Sequence, residues 1–429
     1  MRAVDPTFKP TTGEEIAGVV LAVPPPSGVT KKEHQFIADI IYMCRNQQNS
    51  GANYQKGMWA FGQKYPGTNY EDLEAPCCKW VLGALQDFAN DPENPAKAAM
   101  IPAVKALLGN SNFMSTADTR GNKTFVPAMH TICEQRLNVI AKDGEKVCAA
   151  QGWRKSLGDV GQAWGNVHGV RLDQIVGNNE LWQRLMALVT TSAAAQSGFP
   201  AHYEIAMAVQ LFNYSCDDYF DALVRPLVEQ TGGVWTHATP KNEDRMCGKV
   251  GDDHKDEAEP KVCANIDGVR GGAAYKDVDG LVQGFKALQD DPRIRILRVK
   301  NNFSQEKGNY GYRAILVNFE FCGEVGTTWK SHLEKKEVQT RLQQFTNTYA
   351  GKFGEVMRQW PTQVGGKMFQ LFTQDKTCMA VPFKYIGEVQ FVLDYYMGMR
   401  KLSHIWYQIM RQDNMNMLMQ DFIKFTPIN

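Results

Sequence analysis

Apolar residues in the first half of the chain recur at helical spacing. The stretch KKEHQFIADIIYMCRNQQN sets its apolar side chains three and four residues apart, which places one group on a single helix face: Phe36, Ile37, Ile40, Ile41 and Cys44. The same period continues in further stretches up to the glycine pair at 232–233. The pattern predicts a helical domain over residues 31–238, preceded by a proline-containing, irregular arm at residues 1–30.

The second half changes to apolar residues that alternate with polar ones, which is the period of a β-strand. Strand patterns occur in RIRILRVKNNF, YRAILVNFEFCG and IGEVQFVLDYY, with a shorter β-like run in KVCANIDGVRGGAAY. The helical pattern VDGLVQGFKALQ predicts an inward face of Leu281, Val282, Phe285 and Leu288. Residues 239–429 are therefore predicted to form an α+β domain with a mixed sheet, interrupted by a largely helical insertion at about residues 325–384.

Composition narrows the class of protein. The chain has 429 residues, of which 43% are hydrophobic and 22% charged, values typical of a packed globular protein. The net charge of +1 gives no global basic field that would attract nucleic acid, and no apolar run reaches the roughly 20 residues of a membrane span. The ten cysteines form no CxxC pair, and the first residues lack the layout of a secretory signal. We therefore expect an intracellular protein with free thiols that neither binds nucleic acid nor spans a membrane; the cytoplasm is favoured and an organelle is left open.

Charged and aromatic residues gather near the ends of the predicted strands. In chain order they are Lys241, Arg245 and Lys249 in KNEDRMCGKV, Asp267 and Arg270 in NIDGVRG, Arg298 and Lys300 in RVKNNF, Tyr312 and Arg313 in NYGYRAILVNF, and Glu388 with the polar Gln390 in GEVQFVL. Two carboxylates can hold Mg²⁺ through oxygen ligands, lysine and arginine can neutralise phosphates, and a tyrosine ring can stack on a base. Ordinary alternatives exist for most of these residues: a solvated helix face, a turn at Asp267, a packing role for Tyr312. Glu388 is different, because an unpaired carboxylate among apolar strand residues is costly.

The ordered set from Lys241 to Arg411 resembles the synthetase domain of RelA/SpoT-type alarmone synthetases, in the form found in divergent members from eukaryotic microbes. The resemblance implies a nucleotidyltransferase fold that transfers pyrophosphate from ATP to the 3′-hydroxyl of GDP or GTP, as in guanosine tetraphosphate metabolism. It also implies a role for each residue: Arg245 and Lys249 contact the ATP phosphates, Asp267 and Glu388 are catalytic and hold Mg²⁺, Arg298 and Lys300 line the phosphates, Tyr312 stacks on guanine, and Arg270 and Arg313 complete the nucleotide-binding set.

The chain departs from the family pattern in three places. The acid that in the family often lies five residues before the motif arginine is here Asn265, so only Asp267 could substitute for it. The serine, leucine and histidine that follow the tyrosine motif are here Ala314, Ile315 and Leu316, and the insertion before Glu388 is longer than the usual connection. Two hypotheses stay open. One is a nucleotide-binding protein with weak or lost pyrophosphate transfer. The other is a degenerate scaffold that binds protein partners within a larger assembly.

Overall fold

The computed structural model confirms the α+β class, with many helices and one five-stranded mixed sheet. The structure describes residues 13–44, 59–68, 71–109, 124–164, 170–175, 179–190, 201–251, 253–305, 310–349, 366–375 and 380–412. Of the helices in these ranges, none combines the length and the apolar character that crossing a bilayer requires.

The helices that precede the sheet are α1 (Gly13–Ala22), α2 (Lys31–Cys44), α3 (Glu71–Asn90), α4 (Pro95–Ala98), α5 (Ile101–Leu108), α6 (Val126–Ala150), α7 (Trp153–Leu157), α8 (Leu172–Ile175), α9 (Asn179–Thr190) and α10 (Ala201–Glu229). The strands are β1 (Val234–Ala238), β2 (Val269–Tyr275), β3 (Ile294–Asn301), β4 (Ile315–Cys322) and β5 (Lys384–Leu393). The helices among and after the strands are α11 (Glu243–Gly251), α12 (Val278–Asp290), α13 (Trp329–Leu333), α14 (Lys336–Tyr349), α15 (Gly366–Gln374) and α16 (Asp394–Met410), with a 3₁₀ helix at Lys261–Ala264.

The chain divides into two compact units that do not follow the predicted boundary near residue 239. One unit comprises Met1–Lys142 and Lys401–Thr426, and the other comprises Asp143–Arg400 and Pro427–Asn429. The sheet unit therefore includes a large part of the stretch that the sequence assigned to a separate helical domain. Helix α10 explains this difference, because its apolar side chains pack on the sheet.

The first unit is built from amphipathic helices around buried aliphatic and aromatic side chains. At its centre the Trp80 Nε1 donates to His34 Nδ1 at 3.0 Å. The other ring nitrogen of His34, Nε2, donates to the carbonyl of Val20 at 2.7 Å. The indole N–H of Trp80 and both ring nitrogens of His34 thus have hydrogen-bond partners, as is usual for buried polar groups.

The sheet has the strand order β1-β2-β5-β4-β3. Strand β2 runs parallel to β5, whereas the β1–β2, β5–β4 and β4–β3 pairs are antiparallel. Strand β5 is the last in the chain and yet lies in the centre, between β2 and β4. Its central place brings residues separated by more than a hundred positions into neighbouring registers.

One face of the sheet is apolar and is covered by α10 and α12. The Phe220 ring of α10 stacks on Phe319 of β4 at a centroid distance of 5.9 Å. Gly387 on β5 makes this close approach possible, since a Cβ at that position would lie 2.3 Å from a ring carbon of Phe220. Because side chains alternate along a strand, the residues on either side of Gly387 and Phe319 point to the opposite face.

The structure differs from the sequence pattern at several places. Helix α1 lies within residues 1–30, which were expected to be irregular. Strand β1 falls at the end of the stretch predicted as helical, and it forms through pairing with β2. On α12, Leu281 is buried as expected, but Val282 is 36% exposed and does not belong to the inward face. The helices between β4 and β5 lie where the insertion was predicted.

Candidate functional site

A row of polar side chains crosses four strands on the second face of the sheet. Arg270 on β2 is the register partner of Glu388 on β5, which pairs with Asn318 on β4, which pairs with Arg298 on β3. Side-chain hydrogen bonds follow this row. Arg298 Nε donates to Asn318 Oδ1 at 3.0 Å, and Asn318 Nδ2 donates to Glu388 Oε2 at 3.3 Å. The second oxygen of Glu388 accepts from Gln390 Nε2 at 2.9 Å, which completes a connected polar network.

Glu388 is the chemically unusual member of this row. The residue is only 4% exposed, and Asn318 beside it is fully buried. Among the residues that the structure describes, the contacts of the Glu388 carboxylate are the two amide hydrogen bonds, without a cation at ion-pair distance. A nearly buried carboxylate with neutral partners is costly to the fold, which is typical of a residue retained for function.

A cluster of cations surrounds Asp267 just before β2. Lys241 Nζ lies 2.6 and 2.8 Å from the two Asp267 oxygens, Lys249 Nζ lies 3.3 Å away, and Arg270 Nη1 lies 3.9 Å away. The backbone N–H of Lys241 donates to the carbonyl of Gly268 at 2.9 Å, which fixes the lysine next to the loop that carries Asp267. Helix α11 carries Lys249 and presents it to the same carboxylate.

Burial and charge act in opposite directions on these groups. Burial favours a neutral Asp267, but Lys241, Lys249 and Arg270 outweigh that effect and hold the pKa of this carboxyl well below its usual range. Burial is the main cause that lowers the pKa of Lys241 to about 7, and the charge of Lys249 adds to it. Burial also opposes the charge on Lys249, yet attraction from Asp267 and, more weakly, from Glu388 raises its pKa.

The resemblance implies Mg²⁺ held by Asp267 and Glu388, and the donor set does not fit a metal ion held by the protein alone. Both Asp267 oxygens already accept from Lys241, so a divalent cation there would meet three nearby positive charges, from Lys241, Lys249 and Arg270. Each oxygen of Glu388 accepts an amide hydrogen bond. Across the described ranges, no group of three or more His, Cys, Asp or Glu residues could hold a metal ion. The arrangement favours an anion at this end of the sheet.

Tyr312 lies just before β4, and a tight turn delivers it there. Tyr310 and Gly311 both have left-handed φ values, of 49° and 77°, which is unusual for a tyrosine and strains the backbone. The Tyr312 residue is half-buried, and burial raises the pKa of its hydroxyl while the nearby Arg400 opposes that shift. Arg400 Nη1 also donates to Gln390 Oε1 at 3.2 Å. Arg400 thus lies close to both Tyr312 and Gln390, although the buried Tyr312 hydroxyl makes no hydrogen bond among the described residues.

Two of the predicted phosphate ligands lie outside the row. Arg245 is exposed on α11, one turn before Lys249. Lys300 is exposed on β3 and is the register partner of Leu316, so it lies on the polar face but next to an apolar side chain. Lys300 also lines a cleft of about 200 Å³ at the edge of the sheet, together with Gly158, Gly161, Gln162, Val299, Asn301, Ser304 and Gln305.

Arg313 has a structural position that does not fit its predicted role. Its side chain is fully buried, and Nη2 donates to both carboxylate oxygens of Glu145 at 2.9 and 2.8 Å. Nη1 donates to the backbone carbonyls of Asn302 and Gln305. The guanidinium therefore ties Glu145 of helix α6 to the segments before β4, and its side chain has no exposed surface.

The sequence pattern missed two members of the network, Asn318 and Arg400. The sequence does contain a signal for Asn318. Alternation along β4 places it on the same face as Leu316, one of the positions at which the chain departs from the family pattern. Arg400 lies in a helical stretch whose pattern carries no sign of its partner on β5.

No family model, curated protein or solved structure matches the chain.

Proposed function

We propose that the polar face of the sheet binds a purine nucleotide, with pyrophosphate transfer weak or absent. The observation that carries this proposal is the hydrogen-bonded row from Arg298 to Glu388, in which a nearly buried carboxylate lacks a cationic partner among the described residues. A purely structural sheet face would be served better by apolar side chains, as on the face that α10 covers.

The charges on this face support an anionic ligand. The cations on or beside the row are Lys241, Lys249, Arg270, Arg298 and Arg400, and the acids are Asp253, Asp267 and Glu388. Basic side chains therefore outnumber acidic ones around the row, although the net charge of the whole chain is only +1. Arginine side chains grip phosphate oxygens in a bidentate manner, and Arg270 and Arg298 flank the row on both sides.

Tyr312 is the residue that we assign to the base of the nucleotide. It is half-buried, with its hydroxyl turned inward toward Arg400, so that stacking on the remaining ring surface is the contact open to it. Stacking needs only a ring face and tolerates any base. The preference for a guanine base is an expectation from the sequence resemblance.

Transfer of pyrophosphate requires more of the site than nucleotide binding does, because a proton must also be moved. The 3′-hydroxyl oxygen attacks the β-phosphorus of ATP, the bond from that phosphorus to the α-phosphate oxygen breaks, AMP leaves, and the hydroxyl proton passes to a base. Glu388 is the carboxylate placed to take that proton. Leu316, two residues before Asn318 on β4 and the partner of Gln390, can neither donate a hydrogen bond nor steer a proton. We therefore expect binding to exceed catalysis.

The test of binding is calorimetry of the full chain with ATP, GTP and GDP in the presence of Mg²⁺. We expect Arg298→Ala to weaken binding by about 1–3 kcal/mol, the scale of a lost charge-assisted hydrogen bond. Lys286→Ala is the matched control, because this lysine is exposed on α12, which packs on the other face of the sheet. Lack of binding by all three nucleotides would support the scaffold hypothesis instead.

The test of catalysis is incubation with labelled ATP, Mg²⁺ and GDP or GTP, followed by chromatography. We expect little or no guanosine 3′-pyrophosphate. Robust product that disappears in Glu388→Gln would contradict the expected loss of activity and would identify Glu388 as the base.

A further inference from the structure

Asp267 has a different task from the one that the family resemblance gives it. In the structure its carboxylate is a counter-charge enclosed by Lys241, Lys249 and Arg270. Lys241 has a side chain only 2% exposed and forms the two shortest contacts, at 2.6 and 2.8 Å. The oxygens that a metal ion would need are therefore occupied by a lysine that is held in the interior by its pairing with this carboxylate.

The two outer cations of the cluster are accessible, in contrast to Lys241. The side chain of Lys249 is 34% exposed and that of Arg270 is 24% exposed. Arg270 also belongs to the polar row, as the register partner of Glu388. Asp267 thus contacts one nitrogen of each cation, while both side chains keep part of their surface exposed. Lys249 also lies 3.5 Å from Asp253, whose side chain is 62% exposed, and such exposed pairs are weak and readily exchanged.

We infer that Lys249 and Arg270, positioned by the Lys241–Asp267 pair, bind a diphosphate group directly, without a divalent cation between protein and ligand. This inference deepens the proposed nucleotide binding by naming the part of the ligand held here and the metal independence of the contact. Asp267 is in this arrangement a positioning residue, because it acts through the two cations. The ligand chemistry is that of inorganic pyrophosphate or the diphosphate portion of a nucleotide.

The charges around the cluster support this choice of ligand. A diphosphate carries several negative charges and many acceptor oxygens, which match one ammonium and one guanidinium group in charge and hydrogen-bonding capacity. A bare divalent cation at the same place would be repelled by both of them and by Lys241. Glu388 is the register partner of Arg270, but its carboxylate oxygens accept hydrogen bonds from Asn318 and Gln390 and form no ion pair with either cation among the described residues.

The experiment is calorimetry of the full chain with inorganic pyrophosphate, once in EDTA and once in Mg²⁺ buffer, with free pyrophosphate matched. We expect binding in both buffers, with affinities within about threefold of each other. Lys249→Ala and Arg270→Ala should each lower the affinity by about tenfold or more in both buffers, as expected when a charge-assisted hydrogen bond is removed. Lys286→Ala should have no effect. Circular dichroism and thermal unfolding show whether each variant is folded.

The positioning role of Asp267 is tested with Asp267→Ala and Asp267→Glu in EDTA. The alanine variant should lose pyrophosphate affinity, and the glutamate variant should restore part of it, since the longer side chain still offers a carboxylate to the lysines. If Asp267 only stabilised the fold, two variants of equal stability would bind pyrophosphate equally well. A higher affinity of Asp267→Glu than of Asp267→Ala at equal stability therefore indicates that the carboxylate positions the cations. Binding that requires Mg²⁺, and that Asp267→Ala abolishes only in Mg²⁺ buffer, would make Asp267 a metal ligand and overturn the inference.

The outcomes separate this inference from the proposed function. Pyrophosphate binding in EDTA without binding of ATP, GTP or GDP would support the diphosphate site and refute the nucleotide proposal. Nucleotide binding only with Mg²⁺, with no pyrophosphate binding in EDTA, would do the reverse. If a folded chain binds none of these ligands, both are refuted.

Discussion

The buried pair of Arg313 and Glu145 provides a test of what holds the segment before β4 in place. Arg313 Nη2 lies 2.9 and 2.8 Å from the two carboxylate oxygens of Glu145, and the Arg313 side chain has no exposed surface. The perturbation is Glu145→Gln, which removes the charge of the partner and keeps its size. The variant leaves a buried guanidinium with a neutral acceptor in place of a carboxylate.

The magnitude follows from the burial of the two partners. Removing one partner of a fully buried ion pair costs about 3–5 kcal/mol in the free energy of unfolding. The Glu145 side chain is 29% exposed, so that water already screens part of the interaction and lowers the figure. We therefore expect Glu145→Gln to lower the free energy of unfolding by about 2–3 kcal/mol, which is below the range for fully buried pairs.

A double-mutant cycle separates the pair from its surroundings. Arg313→Met removes the buried charge while retaining a long side chain, and the double variant with Glu145→Gln should be more stable than the sum of the single losses predicts. Coupling between groups in contact is about 0.5–3 kcal/mol. Glu337→Gln is the control, because Glu337 is exposed on α14, and its effect should stay within about 0.5 kcal/mol.

The assay is urea unfolding followed by circular dichroism, with ATP calorimetry on each folded variant. If Arg313→Met left the free energy of unfolding unchanged and abolished ATP binding, the structural role would be refuted. The role predicted from the sequence, a direct contact with nucleotide, would then be correct.

Three further predictions concern the packing of the sheet unit. Burial lowers the pKa of His332 from 6.5 to about 4, so the unfolded chain takes up a proton first as pH falls. Urea unfolding should show about 2–3 kcal/mol less stability at pH 4.5 than at pH 7 from this group, a loss that His332→Gln reduces. Gly387→Ala should destabilise by about 1–3 kcal/mol in the same assay, because its new Cβ meets Phe220; unchanged stability would contradict this packing. Burial raises the pKa of Cys216 well above its usual range, so thiol reagents should label it only after unfolding, as mass spectrometry can show.

The sequence by itself determined the periodic features of this protein. Helical spacing located the long helices of the first half, and alternation located β3, β4 and β5 to within a few residues. The same alternation places Leu316 and Asn318 on one face of β4 and Phe319 on the other. In the structure Asn318 donates to Glu388 on the polar face, and Phe319 stacks on Phe220 of α10 on the apolar face.

Only the tertiary structure decided which charged residues meet. Arg298 and Arg313 are both arginines close to a strand end, yet one joins the polar row and the other is buried against Glu145. Likewise, the sequence does not show which basic residue meets Asp267, and the structure pairs it most closely with Lys241. A sequence pattern gives the direction of a side chain along its own element, but it does not specify the partner that a distant segment supplies.

The physical reason lies in the range of the interactions. Helical and strand periods follow from local backbone geometry and from which side of an element must be buried, so they can be read from a short window. Strand order and register depend on contacts between segments far apart in the chain, and β1 forms only through its pairing with β2. The place of β5 between β2 and β4 brings Glu388 beside Arg270 and Asn318, and that juxtaposition, which no local pattern contains, creates the candidate site.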